Sequence, residues 1–558
     1  MSGRGLKFLM LSVWLLLLVL SGPGGVFAAS SARDSLMEEE TDSASTSGNE
    51  TFVYLLNADE IRFSKLINPD AQMLVGNVVF RHDSMYMYCD SALFFQASNS
   101  FNAYNNVRME QGDTLAMYGD SLYYDGEARL ARVRNNVRLE NRSMVLLTDS
   151  LNYDRNLNLG YFFNGGTLLD SLNTLTSDYG QYNTTTEFAT FMHDVELVSP
   201  DYVINTDTLN YNTAVHIAFI TTPATIVSDE NVINTDRAVF NTDSKDAVLM
   251  NRSVLTQNDD GRRMTGDSIC YSDATGIMEG FGNVIVENFQ DNANILGEYM
   301  FYDQNLDSAV VTGNALAIEY STRDSLFIHA DTFKVITRTD ENDSVLFRQV
   351  RAYNRVKAYR FDMQMVCDSL VFDSSDSCLT LYRDPIVWSE NQQILGEVIK
   401  AYMNDSTLDW AHVIGQALFA QQVDSACFNQ IAGREMKAFF KDGNITKATV
   451  DGNVEVVYFP IDSDSLMIGM NTTQSSNLTA FFDLKEISSI VIHEKSSGVL
   501  YPMSQIPEEK RYLKSFSWFD HLRPFSQYDI FYWRGKQASE QLRTTPNRRV
   551  PLPTLNNR

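Results

Sequence analysis

Seven histidines could move a proton or hold a metal: His82, His193, His216, His329, His412, His493 and His521. They are spread without the HxxxH or HExxH spacing that sets two ligands side by side. Five cysteines (Cys89, Cys270, Cys367, Cys378 and Cys427) form no CxxC, and their number is odd. They read as buried or idle thiols; a Cys367–Cys378 pair is open but not required. Paired carboxylates such as Asp259-Asp260 read as solvated turns. Asp462-Ser463-Asp464 lacks the frame of an EF-hand loop. There is no GxSxG, no P-loop and no GxGxxG after a strand. The reading is therefore of a chain with no catalytic residue, no metal and no cofactor. What does recur at fixed spacing is a tyrosine or phenylalanine four residues after an acidic residue. Its chemistry is burial: a large apolar ring, with a tyrosine hydroxyl that needs a partner or a wet mouth.

Residues 120–125 read DSLYYD and residues 149–154 read DSLNYD. From Asp120 the acidic residue returns every 29 residues, at Asp149, Asp178, Asp207 and Asp236. Asp90 and Asp59 precede it, and Asp267, Glu298, Asp331 and Asp368 follow at looser spacing. The fourth position after it is aromatic in ten of eleven copies, too regular for chance. A second pattern alternates with the first: GNVVF from Gly76, NNVRM from Asn105, NNVRL from Asn135, HDVEL from His193, GNVIV from Gly282, GNALA from Gly313 and GNVEV from Gly452.

The elements that must position these rings are strands. Apolar residues alternate with variable ones in both patterns, a period of two, and Asp/Asn/Gly/Ser clusters between them are turns. Polar pairs such as Asn135-Asn136 and Asp149-Ser150 fall inside strands and predict bulges. Stacked at one height, the bulges would crease the sheet lengthwise into a V or flattened tube, with the aromatics as one wall of the gap. The gap is either a closed core or an accessible groove. About 13 two-strand repeats, roughly 26 strands at ~4.8 Å spacing, would run on the order of 120 Å.

Composition agrees. The chain has 558 residues, 11% aromatic and only 12 prolines, and a formal charge of −27 that repels nucleic acid and anionic headgroups. Arg4 and Lys7, the apolar run 8–20 and the small residues ending at Ala28 have the layout of a cleaved signal peptide, 1–28. Residues 29–51 read as a disordered linker. Residues 461–558 read as a partly disordered cap or tail, rich in aromatic and basic residues over 505–534. Trp518, Phe519, Arg523 and Trp533 are candidate anchors for a partner; otherwise the tail caps the open edge of the last strand.

Alternating GNV/NNV and DSLxYD segments behind a signal peptide resemble the OstA-like, LptA-like family of lipopolysaccharide export, and most of all its long Bacteroidetes-type members. The resemblance covers 52–460 as one body or two stacked subdomains. It implies an all-β fold: an elongated antiparallel β-jellyroll, or β-taco, solenoid of ~29-residue two-strand repeats. It further implies a non-enzymatic lipid-binding bridge in the periplasm, free or associated with the outer membrane. Lipid A acyl chains would lie inside, and the ends would stack, strand on strand, against inner- and outer-membrane transport proteins. The implied lining is Phe94, Tyr124, Tyr153, Tyr182, Tyr211, Phe240, Tyr271 and Tyr302, with Val107, Val137, Val195 and Val284 opposite. The chain departs from the family's small bridge proteins in having several times more repeats, and from its translocon in having no room for a barrel after them. Other readings of the same pattern are a closed-core β-solenoid scaffold or adhesin, and a polysaccharide lyase.

Overall fold

The computed structural model describes residues 52–534, apart from 67, 171, 259–261, 290–291, 321–323, 340–345, 405–406, 463–465 and 484–485. The signal peptide, the linker, Asp259-Asp260 and the proline-rich end lie outside the described residues. Those described form one sheet of 36 strands, all-β and antiparallel. Consecutive strands pair: Ser100–Gln111 with Leu115–Asp125, that with Leu130–Asn141, and that with Met144–Asp154. Strands continue past residue 460, through Gly469–Asp483 to Ser497–Pro502.

Alternate long strands carry a pair of left-handed residues at mid-length. Asn105 and Asn106 have φ of 62° and 48°, and Asn135 and Asn136 have 61° and 51°. The left-handed region is tolerated by Asn and Gly and strained for branched residues. That is why Asn-Asn and Gly-Asn dominate the second sequence pattern, with His193-Asp194 in the same left-handed conformation. At each pair two residues face one on the neighbouring strand. The register runs Tyr104↔Ser121 and then Val107↔Gly119, so Asn105-Asn106 oppose Asp120 alone. This is a bulge, and its recurrence on alternate strands folds the sheet into two arms. Where the bend is sharper the strand divides: Leu159–Phe162 and Gly166–Asp170 pair with the two halves of Met144–Asp154.

Apolar side chains from both arms meet in a single cluster from Val53 to Ala417. Gly180, where the first pattern lacks its apolar residue, lies beneath the Phe162 ring; a Cβ there would come within 2.5 Å of it.

The tail follows a different course from the expected edge cap. After Pro502 it turns back across the outer face of the first arm. Gln430 Nε2 donates to the Arg511 carbonyl at 3.0 Å, and its Oε1 accepts from the Leu513 amide at 2.9 Å. Gln393 grips Ser517 O and Phe519 N in the same way, at 2.9 and 2.8 Å. Farther on, Arg523 donates to Gln364 at 2.7 Å and Lys357 donates to the Tyr532 carbonyl. The physical cause is that this stretch of the arm is apolar on both faces. Ile386, Trp388, Leu395 and Leu418 point outward, and Phe519 and Leu522 bury them. The final edge strands keep Ile487, Ile490, Val499 and Leu500 about half exposed.

Candidate functional site

The inward positions of the second arm make one continuous row. Through the strand pairings it reads Phe101, Tyr124, Ala131, Tyr153, Gly160, Tyr182, Ala189, Tyr211, Ala218, Phe240, Ala247. From Tyr124 to Phe240, rings on every second strand spread over the small residues between them. The expected lining is thus brought together. Tyr124, Tyr153, Tyr182 and Tyr211 are at most 1% exposed, and Phe94 and Phe240 are buried. Val107, Val137, Val195 and Val284 are buried on the first arm, in the same cluster. Tyr271 and Tyr302, later in the row, are only half-buried. Each sealed ring is worth roughly 1.5–3 kcal/mol of apolar burial.

Two polar systems hold the arms in this arrangement. At the crease the acidic residue of the first pattern holds the polar pair of the second, one strand on. Asn106 donates to Asp90 at 2.8 Å, Asn136 to Asp120 at 2.7 Å and Asn283 to Asp267 at 2.9 Å. Arg355 and Arg383 take the same part toward Asp331 and Asp368, at 2.7 and 2.9 Å. The hydrogen bonds from Asn283 and Arg252 hold the Asp267 carboxyl below its ordinary pKa.

At the open side, turns of one arm reach tyrosine hydroxyls of the other. His82 Nδ1 and Tyr124 Oη are 2.6 Å apart, and Arg155 donates to the same hydroxyl at 2.8 Å. Asn141 donates to Tyr182 at 2.9 Å, and Tyr211 donates to Asp170 at 2.8 Å. Tyr202 donates to the Thr242 carbonyl at 3.3 Å, and Asp201 pairs with Lys245 at 2.7 Å. Arg142 meets Glu187, and Arg262 lies 3.8 Å from Asp307. Burial pushes the Tyr124, Tyr153 and Tyr211 hydroxyls up and that of Tyr202 up to about 12. These hydroxyls are therefore neutral donors and acceptors that zip the mouth shut.

The tail residues lie against the chain itself. Phe519 is buried beside Trp388, Trp518 packs 5.1 Å from Phe428, and Arg523 bonds Gln364 and the Glu390 carbonyl. Trp533 is 41% exposed and stands 5.9 Å from Lys357. All five cysteines are free, and no cluster of His, Cys, Asp or Glu suited to a metal occurs among the described residues.

Sequence reasoning missed the polar partners at the mouth. Asn141 and Asp170 end strands, where the same residue types mark any turn. It also missed that its two patterns contact each other, although their constant offset carried that signal.

Residues 50–207 match the model of the family described as OstA-like protein. This segment is similar to that family. Among solved structures, one similar chain is LptH from Pseudomonas aeruginosa, the LptA-homologous periplasmic component of its conserved lipopolysaccharide transport device. It is 15% identical, the match covers 22% of this chain and 84% of that one, and the TM-score is 0.18. No curated protein matches. Among the described residues no helix is long and apolar enough to cross a membrane.

Proposed function

We propose that the protein is a non-enzymatic periplasmic bridge that carries a lipid, lipopolysaccharide or a close relative, toward the outer membrane. The observation that carries this reading is an OstA-like segment forming a creased antiparallel sheet whose two arms turn apolar rows toward each other. An acyl chain leaving water for an inward apolar row that the chain's own rings do not fill gains about 0.8 kcal/mol per buried methylene. The partners are transport proteins of the two membranes, which would add strands at the free edges. At one edge, Tyr54–Asn57 and Glu60–Ser64 leave Tyr54, Leu56, Ile61 and Phe63 more than half exposed. At the other, the last strands leave the isoleucines described above exposed. Unpaired apolar edges are templates for pairing.

The test is depletion in the native cell, followed by pulse-labelling of lipopolysaccharide. The expected result is delayed arrival of labelled lipid at the outer membrane. Arrival at the normal rate would overturn the reading. It would favour the second one, a closed-core scaffold, which has its own support in the sealed rings between Phe94 and Phe240.

A further inference from the structure

The inward row changes character along the chain. From Tyr124 tyrosine or phenylalanine alternates with alanine or glycine as far as Ala247, and the pattern loosens through Tyr271, Met278, Tyr302 and Ala309. Farther on it passes from Leu379 to Ala401, Ala411, Ala438, Ala448 and Ala480, five alanines on five successive strands. No ring belongs to this stretch of the row. Four of the five alanines are half-buried, where Ala131, Ala189 and Ala218 are 0% exposed. Taller side chains flank the lane: Met436 and Val450 in the next row toward the crease, Ile431 and Val456 on the first arm. The arms are also longer here. Thr407–Gln422 has 16 residues and Asn444–Tyr458 has 15, against 11 in Leu115–Asp125. The cross-mouth contacts from His82 to Asp307 all precede the lane.

We propose that this alanine lane is an acyl-chain site, and that lipid occupies the sheet here and not between residues 74 and 249. The proposal rests on the lipid-carrying reading and locates its ligand. The chemistry of the lane selects the occupant. Backbone groups beneath it are used in ladders to strands on both sides, and its alanines carry no donor or acceptor. A peptide or glycan laid there would leave each buried polar group unpaired, at about 1–3 kcal/mol apiece. An unbranched hydrocarbon brings no such group. A lane one side chain wide between taller rows fits that shape. It crosses five strands, roughly 19 Å at the usual spacing.

The earlier half supplies the contrast. There the volume a chain would need is filled by the protein's own tyrosines, and the mouth is bonded shut. The bulky inner residues act as fixed occupants of the space that the alanines leave open.

The test uses the full chain in cells, with a photoreactive amino acid at position 438, at position 153, or at 437, which points to the outer face. It is paired with a titration of the purified chain and of its Ala438→Phe/Ala448→Phe variant with cis-parinaric acid, a fluorescent fatty acid. The expected results are a lipid adduct at 438 alone, and a tenfold or greater loss of fatty-acid affinity in the variant with no drop in its unfolding midpoint. Equal adducts at 153 and 438 would overturn the location while sparing the lipid-carrying reading. So would no adduct at 438 when depletion delays lipid arrival, or unchanged affinity in the variant. A protein adduct at 438 would overturn the choice of occupant. No adduct anywhere and no export defect would overturn both proposals.

Discussion

Replacing Tyr211 with Phe removes one hydroxyl and keeps the ring. The side chain is 1% exposed, and its Oη donates to Asp170 Oδ2 at 2.8 Å, with Thr242 Oγ1 and His216 Nδ1 each at 3.3 Å. Asp170 is itself 1% exposed and its Oδ1 has no partner, so the acid depends on the donors at Oδ2. Of these, Tyr211 is closer than His216, which stands at 3.1 Å. A hydrogen bond to such a group contributes about 1.5–3 kcal/mol. Tyr211→Phe should therefore destabilise the local fold by roughly 2 kcal/mol, which is about 30-fold in the local opening constant. Ring packing is unchanged, so no cavity contributes. Hydrogen exchange read by mass spectrometry on peptides covering 166–170 and 208–220 is the assay, because a long sheet opens locally before it opens globally. Tyr104→Phe is the control; that tyrosine is 40% exposed, and its variant should be silent. Combining Tyr211→Phe with Asp170→Asn should show coupling of about 1.5 kcal/mol, since the two changes remove the same bond. Equal protection in Tyr211→Phe and the parent, or equal loss in the control, would refute the account of a mouth zipped by tyrosine hydroxyls.

Three further outcomes are expected. Gly112→Ala, at φ 65° with open space around it, should cost about 1 kcal/mol. Gly282→Ala, at φ 68°, should cost roughly 2–3 kcal/mol, because its Cβ would come within 2.6 Å of Asp267 and break the crease contact; similar urea midpoints for the two would contradict the role of that contact. The raised hydroxyls of Tyr124, Tyr153, Tyr202 and Tyr211 stay protonated in the folded chain above pH ~10, where unfolded tyrosine ionises. Stability is thus intact below that pH and falls above it, by up to about 1.4 kcal/mol per pH unit for each group, continuing for Tyr202 to about pH 12; a flat unfolding midpoint from pH 9 to 12 would count against their burial. Gln393→Ala with Gln430→Ala should free the tail, seen as faster proteolysis within 511–522 and a red-shifted tryptophan emission as Trp388 meets water; a tail as resistant as the parent's would mean that apolar contacts alone hold it.

The crease and the ring row were legible because each rests on a residue type with one physical use. An Asn-Asn or Gly-Asn pair inside an alternating strand has few conformations other than the left-handed pair seen at 105–106 and 135–136. A ring on every second strand needs small neighbours, and Ala131, Gly160 and Ala189 stand there. The question of groove or core was not legible, because period-two alternation is the same for a filled seam and an open one. The difference lies in side-chain volume at one row, Tyr182 against Ala438, and reading it requires the strand register past residue 320, where the period of the repeat loosens. The path of the tail was hidden for another reason. Trp388 and Leu418 sit on the outer face of strands whose inner face is also apolar, and such strands show no alternation to say which side needs a cover.

The grip of Gln393 and Gln430 on the tail has a consequence for biogenesis. The strands that carry Gln393 and Gln430 are synthesised before the tail residues 511–519 that they hold. Until those residues arrive, Trp388, Ile386 and Leu418 are a sticky surface on an otherwise finished sheet. A chain interrupted before residue 511 would keep that surface exposed, a mark by which chaperones and proteases distinguish it from a complete one. The last short stretch of irregular backbone is thus the piece that covers this surface, and it arrives only after every strand before it has been made.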